Sequence, residues 1–169
     1  GWITTLLEHS QRKEVGAVGC KLIFPNKTIQ HAGVVVGINK TAGHSHKGFP
    51  ADNHGYCGVL NLIRNYSAVT AACMMMKKQD FNAINGFDAE TFGVAFNDVD
   101  LCLRLREKGL LIVYTPYAEL YHHESASRGY DMDGGEVQAL QKRWGHVQHA
   151  DPYYNPNLTP DVEDFSINI

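Results

Sequence analysis

Apolar residues fall in short dense runs along this chain, and the spacing inside each run predicts its structure. Val15 to Phe24 (VGAVGCKLIF) is apolar almost throughout, the pattern of a buried strand. Thr28 to Ile38 (TIQHAGVVVGI) has the same character after the turn Pro25-Asn26-Lys27, so the two runs predict a hairpin. Val69 to Lys77 (VTAACMMMK) reads as a central strand, with the Met74-Met75-Met76 run as adaptable core filler. Helical spacing marks Trp2 to about Arg12, Lys78 to Ile84 before the Asn85-Gly86 stop, and Glu136 to Trp144. The clearest helix is Asn97 to Lys108. Asn97 can cap it, Asp98 and Asp100 lie in its first turn, basic residues gather near its end, and Gly109 stops it. Leu111 to Thr115 and Glu119 to His122 read as short strands around Pro116. Residues 39–58, rich in Gly, His, Asn and Pro, read as a long loop. These elements follow no regular βαβ order. The fold class is therefore α/β, a mixed sheet with flanking helices over residues 1–150, followed by an extended tail over 151–169.

Composition narrows the function classes. At 169 residues, 44% hydrophobic and 20% charged, the chain suits one globular domain. A formal net charge of −3 argues against a nucleic-acid partner or a general binder of acidic membranes, because both need a basic surface. No apolar run approaches the roughly 20 residues of a spanning helix. Cys20, Cys57, Cys73 and Cys102 are widely spaced with no C-x-x-C pair, which favours free thiols in a reducing compartment. Asn26, Asn39, Asn65 and Asn157 begin N-x-S/T triplets, a short pattern that chance supplies readily. The chain opens directly into a helix, without an initiator methionine or signal peptide, and reads as a piece of a longer protein.

Three segments carry candidate chemistry. Asp98 sits where a helix start offers unpaired N–H groups and partial positive charge, which stabilises a carboxylate fit to act as a general base. Asp100 and Arg104 are spaced to pair on one helix face. Plain capping accounts for two first-turn acids equally well, so the residues themselves leave both roles open. In Tyr121-His122-His123 adjacent strand positions point oppositely, so only one imidazole can face a given site. Imidazole suits Mn²⁺ or Zn²⁺, although a lone histidine is more often structural. Ser127 and Arg128 follow in a small, polar loop where a guanidinium can grip phosphate. His44-Ser45-His46 is a further candidate, for metal or for sugar and phosphate contact.

Taken in order, several segments resemble the second half of family 2 glycosyltransferases of GT-A type, especially bacterial rhamnosyltransferases and O-antigen polysaccharide transferases. They are Glu14-Val-Gly-Ala-Val18, Thr28-Ile-Gln-His-Ala-Gly33, Ser67-Ala-Val-Thr-Ala-Ala-Cys73, Asn85-Gly-Phe-Asp88, Phe96-Asn-Asp-Val-Asp-Leu-Cys-Leu-Arg104 and Tyr121-His-His-Glu-Ser-Ala-Ser-Arg-Gly129. The resemblance implies a partial GT-A fold lacking the N-terminal nucleotide-binding βαβ units. It implies an inverting transfer from a nucleotide-sugar donor to a saccharide or lipid-linked saccharide acceptor, in cell-surface polysaccharide synthesis. Asp98 would be the catalytic base and His122 a ligand of a divalent cation, Mn²⁺ or Mg²⁺, in the full-length enzyme. Thr70, Ala71 and Ala72 would line the site, Asp100 would lie on its acceptor side, and Ser127 and Arg128 would close over the donor diphosphate. The family's Asp-x-Asp diphosphate clamp is missing. This piece alone is therefore expected to hold no cation and to need the N-terminal half of the same polypeptide as its partner. The implied location is cytoplasmic, at the inner face of the plasma membrane. Two other classes remain open: a non-catalytic carbohydrate-binding or assembly module, and a small His-rich metal-binding protein.

Overall fold

A computed structural model of the protein describes residues 1–123 and 134–168. Strand β1 (Val15–Ile23) is its spine: all nine residues are buried, as an apolar run with no polar face requires. Strand β7 (Leu111–Tyr121) runs parallel to it along its whole length. The other pairings are antiparallel. Strand β2 (Ile29–His31) meets the end of β1, β6 (Met74–Met76) pairs with Ala17 to Gly19, and β5 (Arg64–Tyr66) pairs with the far side of β7. The sheet is thus mixed, in the order β2-β1-β7-β5, with β6 beside β2 along the same edge of β1.

Helix α1 (Trp2–Ser10) covers one face, where Leu6 packs among Val15, Val18, Cys20, Leu22, Val113 and Ala118. Burying Leu6 completely is worth about 1.5–3 kcal/mol. Helices α3 (Asn97–Glu107) and α4 (Gly134–Gln148) cover the other. There Leu101, Leu103 and Leu105 join Leu140, Trp144, Ile112 and Tyr114 in the main core. The short helix α2 (Lys78–Ala83) follows β6.

Several expectations are revised. The run 28–38 is two strands. Gly33 breaks it at φ +100°, and a Cβ there would come 2.3 Å from the Tyr66 ring. The chain leaves the main sheet at this point, and β3 (Val34–Val36) pairs with β4 (Ala42–His44) in a separate ribbon. The 39–58 loop is consequently not structureless. The run 69–77 is a strand only over its methionines, and these are half-buried at the sheet edge rather than central. Pro116 does not split β7. The register on β1 jumps from Thr115 opposite Cys20 to Glu119 opposite Lys21, so residues 116–118 bulge out where proline has no N–H to give. The tail, largely turns and bends, is anchored to the rest of the chain. Asp151 is buried and accepts from the Val36 N–H at 2.8 Å and the Ser67 hydroxyl at 2.6 Å.

Candidate active site

Asp98 enters through an unusual turn. Phe96, immediately before α3, adopts a left-handed conformation with φ +59°, which is costly for a bulky residue. The approach is clamped from α4, where buried Glu136 accepts the Val94 and Ala95 N–H groups at 2.8 and 2.7 Å. Phe96 takes the capping position, and Asn97 is the first helical residue rather than the cap. Asp98 Oδ2 accepts the Ala71 N–H at 3.0 Å, and Oδ1 accepts the Val99 N–H at 2.9 Å. The half-exposed carboxylate is therefore fixed in direction by two backbone donors. A carboxylate offers about four acceptor positions, so capacity remains for a substrate hydroxyl.

The residues opposite form a tight turn, not the expected strand. Thr70 is buried and its hydroxyl accepts the Ala72 N–H at 3.3 Å, while Ala71 and Ala72 are exposed in a 3₁₀ turn that ends at Cys73. Behind them lies His31, fully buried on β2. Its Nε2 accepts N–H groups from Gly33 at 3.3 Å and Thr70 at 3.4 Å. Its proton must therefore sit on Nδ1, facing Nδ1 of His44 at 2.9 Å. Burial holds the His31 pKa well below the ordinary histidine value, and the neighbouring His44 and His122 lower it further. The sequence alone did not single out His31 or Glu136. Their partners lie far along the chain, and only the QHAG segment hinted at the first.

His122 leaves the end of β7 with its N–H bonded to the Ile23 carbonyl at 2.9 Å. Its Nδ1 is buried and has no hydrogen-bond partner among the described residues. His123 is exposed, whereas His122 is half-buried. A run of contacts thus links Asp98 through Ala71 and Thr70 to His31, and His122 lies near enough to His31 to lower its pKa.

Asp100 requires a correction. It is fully buried, and its oxygens accept from Arg104 Nε at 2.7 Å, Arg143 at 2.8 Å and the Trp144 indole at 3.0 Å. The Arg104 pairing is as expected, but the carboxylate ties α3 to α4 and does not line an acceptor site. Ser127 and Arg128 lie outside the described residues. His44 and His46 do not make a metal pair. Both ring nitrogens of buried His46 are engaged, Nδ1 with the Ser45 hydroxyl at 2.8 Å and Nε2 with the Tyr56 N–H at 3.1 Å. Among the described residues no group of three side chains is arranged to hold a metal. A cleft of about 930 Å³ opens elsewhere, between Ile38, the end of α4 and the tail at Tyr154 and Leu158; Asp98, Thr70 and His122 take no part in it.

Residues 54–126 match the family described as the N-terminal domain of galactosyltransferase, a span that contains Thr70, Asp98 and His122. The chain is 45% identical over 174 residues to protein y4gI of Sinorhizobium fredii, covering 99% of this chain and 19% of that protein. It is 44% identical over 168 residues to the O-antigen biosynthesis protein RfbC of Myxococcus xanthus, covering 96% of this chain and 13% of that protein. Over 63 residues, 37% of this chain and 20% of its relative, it is 38% identical to an N-acetylglucosaminyl-diphospho-decaprenol L-rhamnosyltransferase of Mycobacterium tuberculosis. The chain therefore spans less than a fifth of the first two relatives. These matches run through the helix-start carboxylate, the small-residue turn and the sheet behind them, so the chain is similar to a galactosyltransferase domain over residues 54–126 and, over 63 residues, to a rhamnosyltransferase.

Proposed function

We propose that this chain is the acceptor side of an inverting, family 2, GT-A-type glycosyltransferase. It would act in cell-surface polysaccharide synthesis, transferring a sugar from a nucleotide donor to a saccharide or lipid-linked saccharide hydroxyl. The observation that carries this reading is the Asp98 carboxylate, aimed by the Ala71 and Val99 N–H groups and still half-exposed. Asp98 takes the proton of the acceptor hydroxyl as its oxygen attacks the anomeric carbon from the face opposite the leaving diphosphate. Such a base contributes roughly 10²–10⁴ in rate. A name as O-antigen biosynthesis protein and another as rhamnosyltransferase, both among relatives, support the substrate class.

The orphaned Nδ1 of His122 suits one ligand of a divalent cation, with the remaining ligands coming from the donor diphosphate and from chain beyond the described residues. A cation held there would neutralise charge on the departing diphosphate. The reading sets the reaction in the cytoplasm, at the inner face of the plasma membrane; no described helix is long and apolar enough to cross a membrane. The test is product analysis with the full-length protein, a panel of nucleotide sugars and Mn²⁺. The reading expects nucleoside diphosphate release with one donor and a product of inverted anomeric configuration by proton NMR. Retained configuration, or no release from any donor by the folded protein, would overturn it.

A further inference from the structure

Two of the four cysteines meet across the sheet. The antiparallel register of β1 and β6 runs Ala17 to Met76, Val18 to Met75 and Gly19 to Met74; carried one residue further, it sets Cys20 against Cys73, the last residue of the 3₁₀ turn before β6. Directly opposed antiparallel residues have Cα atoms roughly 4.5–5.5 Å apart, inside the roughly 4.4–6.8 Å that a disulfide spans. Cys20 belongs to the apolar cluster under α1 and Cys73 packs against it, near enough that each thiol alters the other's ionisation. Both are free. Their surroundings differ: Cys20 is fully buried, whereas Cys73 is half-buried and reachable at the end of the 3₁₀ turn that starts with Ala71.

We propose that Cys73 and Cys20 form a dithiol site that exchanges with small-molecule disulfides and closes into a cross-strand disulfide between β1 and the Ala71–Cys73 turn. The Cys73 thiolate attacks one sulfur of the small disulfide, forming a mixed disulfide and expelling one thiolate. The Cys20 thiol then attacks the Cys73 sulfur, the second small thiol leaves, and the protein has lost two electrons and two protons. The small disulfide takes up those electrons and protons as two thiols. The neighbouring Cys20 thiol holds the Cys73 thiol pKa below the ordinary cysteine value, so the reachable member of the pair is also the better nucleophile. Cys102 is no competitor, being fully buried with its S–H on the Val69 carbonyl at 3.7 Å. Cys57 is exposed and lacks an opposed thiol, which makes it an internal reference for simple exchange.

The experiment is oxidation of the folded protein with oxidised glutathione, an acid quench, alkylation under denaturing conditions and peptide mass spectrometry. The expected result is loss of two of the four alkylatable thiols as a Cys20–Cys73 linked peptide, with Cys57 carrying glutathione and Cys102 unmodified. Cys20→Ser should leave a stable glutathione adduct on Cys73, and Cys73→Ser should leave Cys20 fully alkylatable. If Cys20 and Cys73 both remain alkylatable when Cys57 has exchanged completely, or if their linkage forms only in denaturant, the proposal is overturned. Both readouts use wild-type protein and do not depend on the glycosyltransferase reading.

Discussion

Two carboxylates stand two positions apart on α3, and their surroundings give them different work. Asp98 keeps an exposed edge and two backbone donors. Asp100 is closed off by Arg104, Arg143 and Trp144. Removing the Asp100 carboxylate leaves the Trp144 indole N–H without its acceptor and takes the buried charge partner from Arg104, which keeps the Ile84 and Gly86 carbonyls, and from Arg143, which keeps Asp88. Asp100→Ala should therefore cost about 3–5 kcal/mol, the penalty for breaking a buried pair, read as a large drop in melting temperature. A melt within a degree or two of wild type would contradict the assignment. His122 tests the metal reading separately. In the full-length enzyme His122→Ala should weaken Mn²⁺-dependent donor binding by about 10–100-fold and be partly rescued by excess Mn²⁺, because a lost ligand lowers metal affinity and leaves the base in place. Donor calorimetry across a Mn²⁺ series checks it. The positions of Asp98 and His122 were legible because a helix start and a strand end announce themselves locally. The enclosure of Asp100 was not, since its partners Arg143 and Trp144 lie 43 and 44 residues on.

At the scale of elements, local pattern served where an element is uniform and failed where a neighbour intervenes. β1 was legible because all nine of its residues are buried alike. The 28–38 run looked equally uniform, but the Tyr66 ring packs against Gly33 and turns the chain into a second ribbon. β5, Arg-Asn-Tyr, carries no apolar alternation and was missed; it exists because β7 offers it an edge. The turn after β4 adds a pH-dependent cost. Burial depresses the His46 pKa to about 4, with Arg64 lowering it further and Asp164 opposing the shift. An unfolded histidine titrates near 6.5, roughly. As pH falls from about 6.5 towards 4, the unfolded chain therefore takes up a proton that the folded chain refuses. Stability contributed by neutral His46 is intact above about 6.5 and lost across that window, and buried His31 acts in the same direction. His46→Gln keeps an acceptor for the Tyr56 N–H and should flatten the fall in melting temperature between pH 6.5 and 4, roughly the window just derived. Equal slopes in the two proteins would contradict this account.

At the scale of the whole molecule, the sheet holds two layers of helices apart and brings β2, the 70–73 turn and the α3 start together on one side. Class was readable from the mixture of fully buried strands and amphipathic helices. Strand order was not, because β1 and β7 pair in parallel across nearly a hundred residues and no local signal reports that pairing. The chain covers only 19% and 13% of the two relatives it matches along nearly its full length, so the central claim concerns the full-length enzyme. That claim is that Asp98 removes the acceptor proton, and the most direct measurement is steady-state turnover of full-length Asp98→Asn, with donor affinity measured in parallel. The amide preserves an oxygen for the Ala71 N–H but cannot take a proton. The account predicts turnover reduced by at least about 100-fold with donor affinity little changed. Turnover equal to wild type would contradict it, and Asp98 would then be a helix-start residue with no part in the chemistry.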